Sequence, residues 1–113
     1  MRATISAVIR GLGTTYVDGT ERMEIHILLE NATSFPHAMN IRIPVQLNIR
    51  GTLYHAGVRA TPNNRYVWIC PDIRKMSHEP TKLSRALADA GLGKNDRVHL
   101  DVDGSSITVR PAY

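Results

Sequence analysis

A regular alternation of apolar and polar residues near the middle of the chain constrains the fold more than any other feature. From Met39 to Arg50 every odd-numbered residue is Met, Ile, Val or Leu, and every even-numbered residue is Asn, Arg, Pro or Gln. A period of two places the apolar side chains on one face of a β-strand. Pro44 cannot donate to a strand ladder, so we expect a sheet edge, a bulge, or two strands that meet at a corner.

Shorter alternations predict further strands on both sides of this segment. Gly11-Leu12-Gly13 is expected to close the first strand, and Asp103-Gly104-Ser105 to turn the chain between the last two. The predicted strands are Thr4 to Arg10, Met23 to Glu30, Thr52 to Ala60, Tyr66 to Cys70, Arg97 to Asp103 and Ile107 to Arg110.

One helix is predicted, over Thr81 to Ala90, where Leu83 and Leu87 share an apolar face. Thr81 is expected to be its N-cap, and Gly91 fits the position just past its C-terminus. A chain of 113 residues with 42% hydrophobic and 21% charged residues is typical of a single folded domain. We therefore predict one domain over residues 1–113: a small, mainly β fold that forms a closed or partly open β-barrel with one short α-helix.

The segment from Val67 to Pro111 resembles a known class of barrels. A strand ends in Pro71-Asp72-Ile73-Arg74, a short helix follows, and Leu92-Gly93-Lys94-Asn95-Asp96 leads into a β-branched strand and a terminal hairpin. This succession resembles the swapped-hairpin barrels of AbrB and MazE type, and more closely the DUF1905 family of small bacterial domains. The runner-up architecture is the B3-like DNA-binding barrel. The AbrB-type resemblance implies a DNA-binding barrel, and since this chain has enough strands to close alone, we expect a monomer or a homodimer.

The distribution of charge is more informative than its total. The formal net charge is +4, and no Asp or Glu occurs between Asn31 and Pro71. Arginines, which predominate among the basic residues, can donate two hydrogen bonds to one phosphate. We therefore predict a DNA-binding surface in and just beyond this acid-free segment, formed by Arg42, Arg50, Arg59, Arg65, Arg74 and Lys75.

The alternative function is a module that senses a small molecule or binds a protein partner, with no nucleic-acid contact. In that interpretation the polar strand face is solvated and the central aromatic residues belong to the core. Trp68, between Val67 and Ile69, is expected in the core, whereas Tyr54 and Tyr66 fit either role. Salt dependence separates the two functions, because binding to phosphates weakens steeply as salt rises.

No motif indicates catalysis. G-x-S-x-G, S-x-x-K and a nucleotide-binding glycine loop are all absent from the sequence, and so are paired cysteines and closely spaced histidines. Cys70 lies in an apolar run and is expected to be a small buried hydrophobe. We expect a non-catalytic protein without metal or cofactor. Because no signal peptide or apolar run of about 20 residues occurs, we expect a cytoplasmic location without membrane contact.

Overall fold

The computed structural model describes residues 2–112, which contain nine β-strands, one α-helix and a single 3-10 turn at Leu29–Asn31. The helix α1 spans Leu83–Asp89. The strands are β1 (Arg2–Thr15), β2 (Glu21–Leu28), β3 (Ile43–Ile49), β4 (Thr52–Ala60), β5 (Tyr66–Ile69), β6 (Asp72–Lys75), β7 (Pro80–Lys82), β8 (Arg97–Asp103) and β9 (Ser106–Pro111).

Seven of the strands close into a barrel. Their order is β3-β9-β8-β1-β2-β5-β4, and β4 pairs back with β3 to complete the ring. Every pair is antiparallel except β3 and β9, which run parallel. The predicted mainly β barrel with one short helix is therefore confirmed, and the barrel is closed.

Alternating side chains from every barrel strand fill the interior. Ile9, Ile25, Leu47, Val58 and Leu100 are all fully buried in one continuous core. Because residues of one parity point inward, those of the other parity form the outer wall of the barrel. The core therefore fixes which side chains the outer surface presents.

The long alternation around Pro44 forms a strand only from Ile43 onward. Val45, Leu47 and Ile49 point inward as predicted, but Met39 and Ile41 are 40% and 59% exposed. Pairing with β9 begins at Gln46, and residues 38–42 make only isolated bridges and turns. The alternation is wrong for Met39 and Ile41 because, apart from the isolated bridge between Met39 and Ala60 of β4, no strand pairs with residues 38–42.

One further prediction is wrong, and two strands were not predicted. Gly11-Leu12-Gly13 does not close the first strand, since β1 continues to Thr15 with an irregular pairing to β2. Strands β6 and β7 were not predicted, because they have only four and three residues and Ile73 is their single buried side chain. These two strands extend the sheet beyond the barrel, from β4.

Helix α1 starts two residues later than predicted and ends at Asp89, one residue before the predicted Ala90, with Gly91 just past the C-cap as predicted. Thr81 is not its N-cap but belongs to β7, and Lys82 occupies the cap position without a side-chain hydrogen bond. At the C-terminus Gly91 has φ +78°, its N–H donates to Ala88, and the Leu92 N–H donates to Leu87. This pair of bonds is the Schellman motif that favours glycine at this position.

Within residues 2–112, no helix has the length and apolar character required to cross a membrane.

Replacing Ser84 with alanine should stabilise the protein by about 1 kcal/mol. Ser84 is 4% exposed, and its Oγ has no hydrogen-bond partner in residues 2–112. Alanine removes that unsatisfied group and favours the helix. Thermal unfolding should show a Tm about 4 °C higher. The control is Ser77→Ala in the exposed turn after β6, which should leave the Tm nearly unchanged. A lower Tm for Ser84→Ala would contradict the prediction.

Candidate functional site

A groove opens where β4 changes its pairing partner. Residues Val58–Ala60 of β4 pair with β5, whereas Tyr54 and His55 pair with β6. The chain crosses between these two partners at Cys70, whose N–H donates to the Gly57 carbonyl at 2.9 Å. A surface groove of about 580 Å³ lies at this junction.

Four arginines from separate parts of the chain line this groove. Arg22 comes from β2, Arg42 precedes β3, Arg59 lies on β4 and Arg74 lies on β6. We call this the arginine groove; its remaining lining residues are Cys70, Pro71, Asp72, Ile73, Pro80 and Thr81. Asp72 is the only carboxylate among them, so the groove carries a net positive charge.

Asp72 is already engaged on two sides. Its Oδ2 lies 3.3 Å from the Arg22 guanidinium, and its Oδ1 accepts a hydrogen bond from the Tyr16 hydroxyl at 3.0 Å. Partial burial, together with the bond to Asp72, raises the pKa of Tyr16 to about 12, so the phenol stays protonated at neutral pH. Within residues 2–112 neither Arg42 nor Arg59 lies within 4.0 Å of a carboxylate.

The absence of a side chain at Gly57 creates the space for Arg42. A Cβ added at Gly57 would collide with the Arg42 guanidinium, which lies directly against this point of β4. The same guanidinium contacts the thiol of Cys70. Burial nevertheless raises the pKa of that thiol above its ordinary value, so Cys70 stays neutral. Cys70 is buried, as the sequence predicted.

Three rings lie beside the arginine groove on the outer wall of the barrel. Tyr66 stacks on His26 with centroids 4.0 Å apart and an interplanar angle of 13°. Trp68 meets Tyr66 edge-on at 5.7 Å and 63°. We call these three residues the aromatic row. The prediction that Trp68 belongs to the core is wrong: Val67 and Ile69 point inward instead, and the alternation of β5 places Trp68 outside.

A buried pair holds one ring of this row. The Glu24 carboxylate lies 2.9 Å from His26 Nε2, and the two side chains are only 11% and 15% exposed. Both residues lie on the outer face of β2, since Ile25 and Ile27 point into the core. The hydrogen bond fixes the plane of the imidazole against Tyr66.

The structure brings three of the six predicted surface residues into the groove: Arg42, Arg59 and Arg74. Arg50 lies in the turn after β3 and lines a different cavity with Leu92 and Arg110. Arg65 is exposed in the connection before β5, and Lys75 pairs with Glu79 at 3.5 Å.

Sequence reasoning missed Arg22 because it lies between Glu21 and Glu24, outside the acid-free segment. The one feature that could have assigned Arg22 to the outer surface is its position in β2. Residues 22, 24 and 26 share the outer parity of that strand.

Nothing in residues 2–112 brings three His, Cys, Asp or Glu side chains together in a way that could hold a metal ion. In comparisons with known proteins, no family model matches this chain, and neither does any curated protein or solved structure. The resemblance of residues 67–111 to the DUF1905 and AbrB-type barrels stays a prediction.

Proposed function

We propose that this protein binds nucleic acid, with DNA as the leading partner, and that it acts without catalysing a reaction. The arginine groove carries the proposal, because four guanidinium groups meet a single carboxylate in one concave surface. Such a surface attracts the phosphate backbone, whose binding releases condensed counterions.

The contacts of the charged groups in the arginine groove support phosphate as the ligand. The Asp72 carboxylate is already paired with Arg22 and hydrogen-bonded to Tyr16. Arg42 and Arg59, in contrast, have no carboxylate partner in the described chain. Arg74 donates to the carbonyl of His78 at 2.9 Å, which holds its side chain at the groove without neutralising it. A planar guanidinium with free donors can bind a phosphate through two parallel hydrogen bonds.

The double substitution Arg42→Gln, Arg59→Gln should weaken duplex binding and reduce its dependence on salt. If each arginine replaces about one counterion, the slope of log affinity against log salt falls by about 2. Fluorescence anisotropy of a short labelled duplex, titrated at several salt concentrations, measures both quantities.

The matched control is the double substitution Arg2→Gln, Arg50→Gln, which removes the same charge outside the groove. Arg2 is 88% exposed beside Asp103, and Arg50 lies in the turn after β3. This control should keep most of the wild-type slope. An equal fall in both variants would mean that the groove has no special role. Wild-type protein that binds neither a duplex nor single-stranded DNA would favour the small-molecule or protein-interaction function.

A further inference from the structure

We infer that the aromatic row stacks on unpaired bases, so that the protein prefers single-stranded nucleic acid to a duplex. The inference rests on the proposed function, because the phosphates of the same strand would occupy the arginine groove. The observation behind it is that the groove and the aromatic row share a border, at Arg59.

The register of the strands defines this border. Arg59 lines the groove and lies directly opposite Trp68, which in turn lies opposite His26. Side chains that face each other across antiparallel strands have Cβ atoms about 5 Å apart. A phosphate bound at Arg59 would therefore hold its own base within reach of Trp68.

On the side away from Arg59, the outer wall continues from the aromatic row to Arg97, another arginine without a carboxylate partner in the described part of the chain. Val8 lies opposite His26 on one side and opposite Arg97 on the other. Arg97 is exposed and has no carboxylate within 4.0 Å in residues 2–112. The rings thus lie between Arg59 and Arg97, an arrangement that fits a strand with its bases on the rings and its phosphates at either end.

The rings are held in place before any ligand binds. Tyr66 contacts both the stacked His26 and Trp68, and Glu24 holds His26 by a hydrogen bond. All three rings are only partly buried. Rigid, partly exposed rings lose little conformational entropy when a base stacks on them.

A duplex cannot use this surface in the same way. Its bases present only their edges in the grooves, whereas stacking requires the face of an unpaired base. Reading the major groove of a duplex commonly uses an inserted helix. In residues 2–112 the only α-helix is α1, which has seven residues and buries Leu83 and Leu87 in the barrel core.

Trp68 provides a direct test, because it is the only tryptophan of the chain. Three ligands of equal length are titrated: oligo(dT), the same backbone with abasic sites, and a duplex. Oligo(dT) should quench the Trp68 fluorescence and bind more tightly than the other two. The abasic strand should bind through its phosphates without quenching.

The variant Trp68→Leu tests whether the preference for oligo(dT) depends on stacking. Trp68→Leu keeps an apolar side chain on the wall but removes the stacking surface, so its affinity for oligo(dT) should fall about tenfold. Its affinity for the abasic strand should stay at the wild-type value. If Trp68→Leu does not fold, Tyr66→Leu and the quenching of the wild-type protein decide the question.

The outcomes separate the two proposals. Equal affinity for all three ligands without quenching would overturn the stacking inference and leave phosphate binding in the groove intact. Binding to none of them would overturn both. Tighter binding of oligo(dT) with quenching that Trp68→Leu abolishes would support the inference.

Discussion

Replacing Leu47 with alanine should lower the free energy of unfolding by about 3 kcal/mol. Leu47 is fully buried on β3, the strand that closes the barrel. It lies opposite Tyr54 on β4 and Ile107 on β9, so truncation leaves a cavity between three strands. Leucine-to-alanine changes in such positions cost about 2 to 5 kcal/mol. The total stability of a domain is about 5 to 15 kcal/mol, so this loss is a large fraction.

Urea unfolding followed by circular dichroism measures the change. The matched control is Leu53→Ala on the neighbouring strand β4, where the leucine is 37% exposed. It should cost clearly less than Leu47→Ala, because Leu53 lies partly in solvent and its truncation leaves no enclosed cavity. Similar losses in the two variants would argue against the inward orientation of β3.

The variant His26→Leu should destabilise the protein by about 2 kcal/mol. It leaves the Glu24 carboxylate, in a residue only 8% exposed, without its hydrogen-bond partner. An unsatisfied buried acceptor costs more than the hydrogen bond itself contributed. Replacing both partners should therefore be less harmful than replacing histidine alone.

A double-mutant cycle tests this prediction by chemical denaturation of Glu24→Leu, His26→Leu and the double variant. We expect the double variant to be more stable than His26→Leu by at least about 1 kcal/mol. Strictly additive losses would show that Glu24 and His26 do not depend on each other.

The local pattern of apolar and polar residues was sufficient to predict the bounds of a strand where the strand alternates regularly and lies between two turns. The predicted bounds of β4, Thr52 to Ala60, and of β8, Arg97 to Asp103, agree with the structure. It was insufficient at Met39 and Ile41, since burial there depends on whether a distant strand reaches that far. For Trp68 both faces of the strand are apolar, so periodicity does not say which face is inside.

The candidate site was predictable only in part, because the positions of its residues relative to one another depend on how the strands pair. The acid-free segment identified Arg42 and Arg59 as basic residues without nearby carboxylates in the sequence. Their convergence with Arg22 and Arg74 follows from the change of partner along β4. That change of partner depends on two short strands with almost no apolar pattern, so no local feature of the sequence predicts it.

The position of β9 has a consequence for how the chain folds during synthesis. Ser106–Pro111 lies between β3 and β8, and of the nine strands in residues 2–112 it is the last to be synthesised. Until it emerges, the growing chain holds two unpaired strand edges, which are surfaces prone to intermolecular pairing. Strand β1 pairs with β2 on one side, but its other side is paired only when β8 is made, because the paired residues Val8 and Arg97 are 89 positions apart and Arg2 and Asp103 are 101 apart. Contacts so distant in sequence favour slow folding.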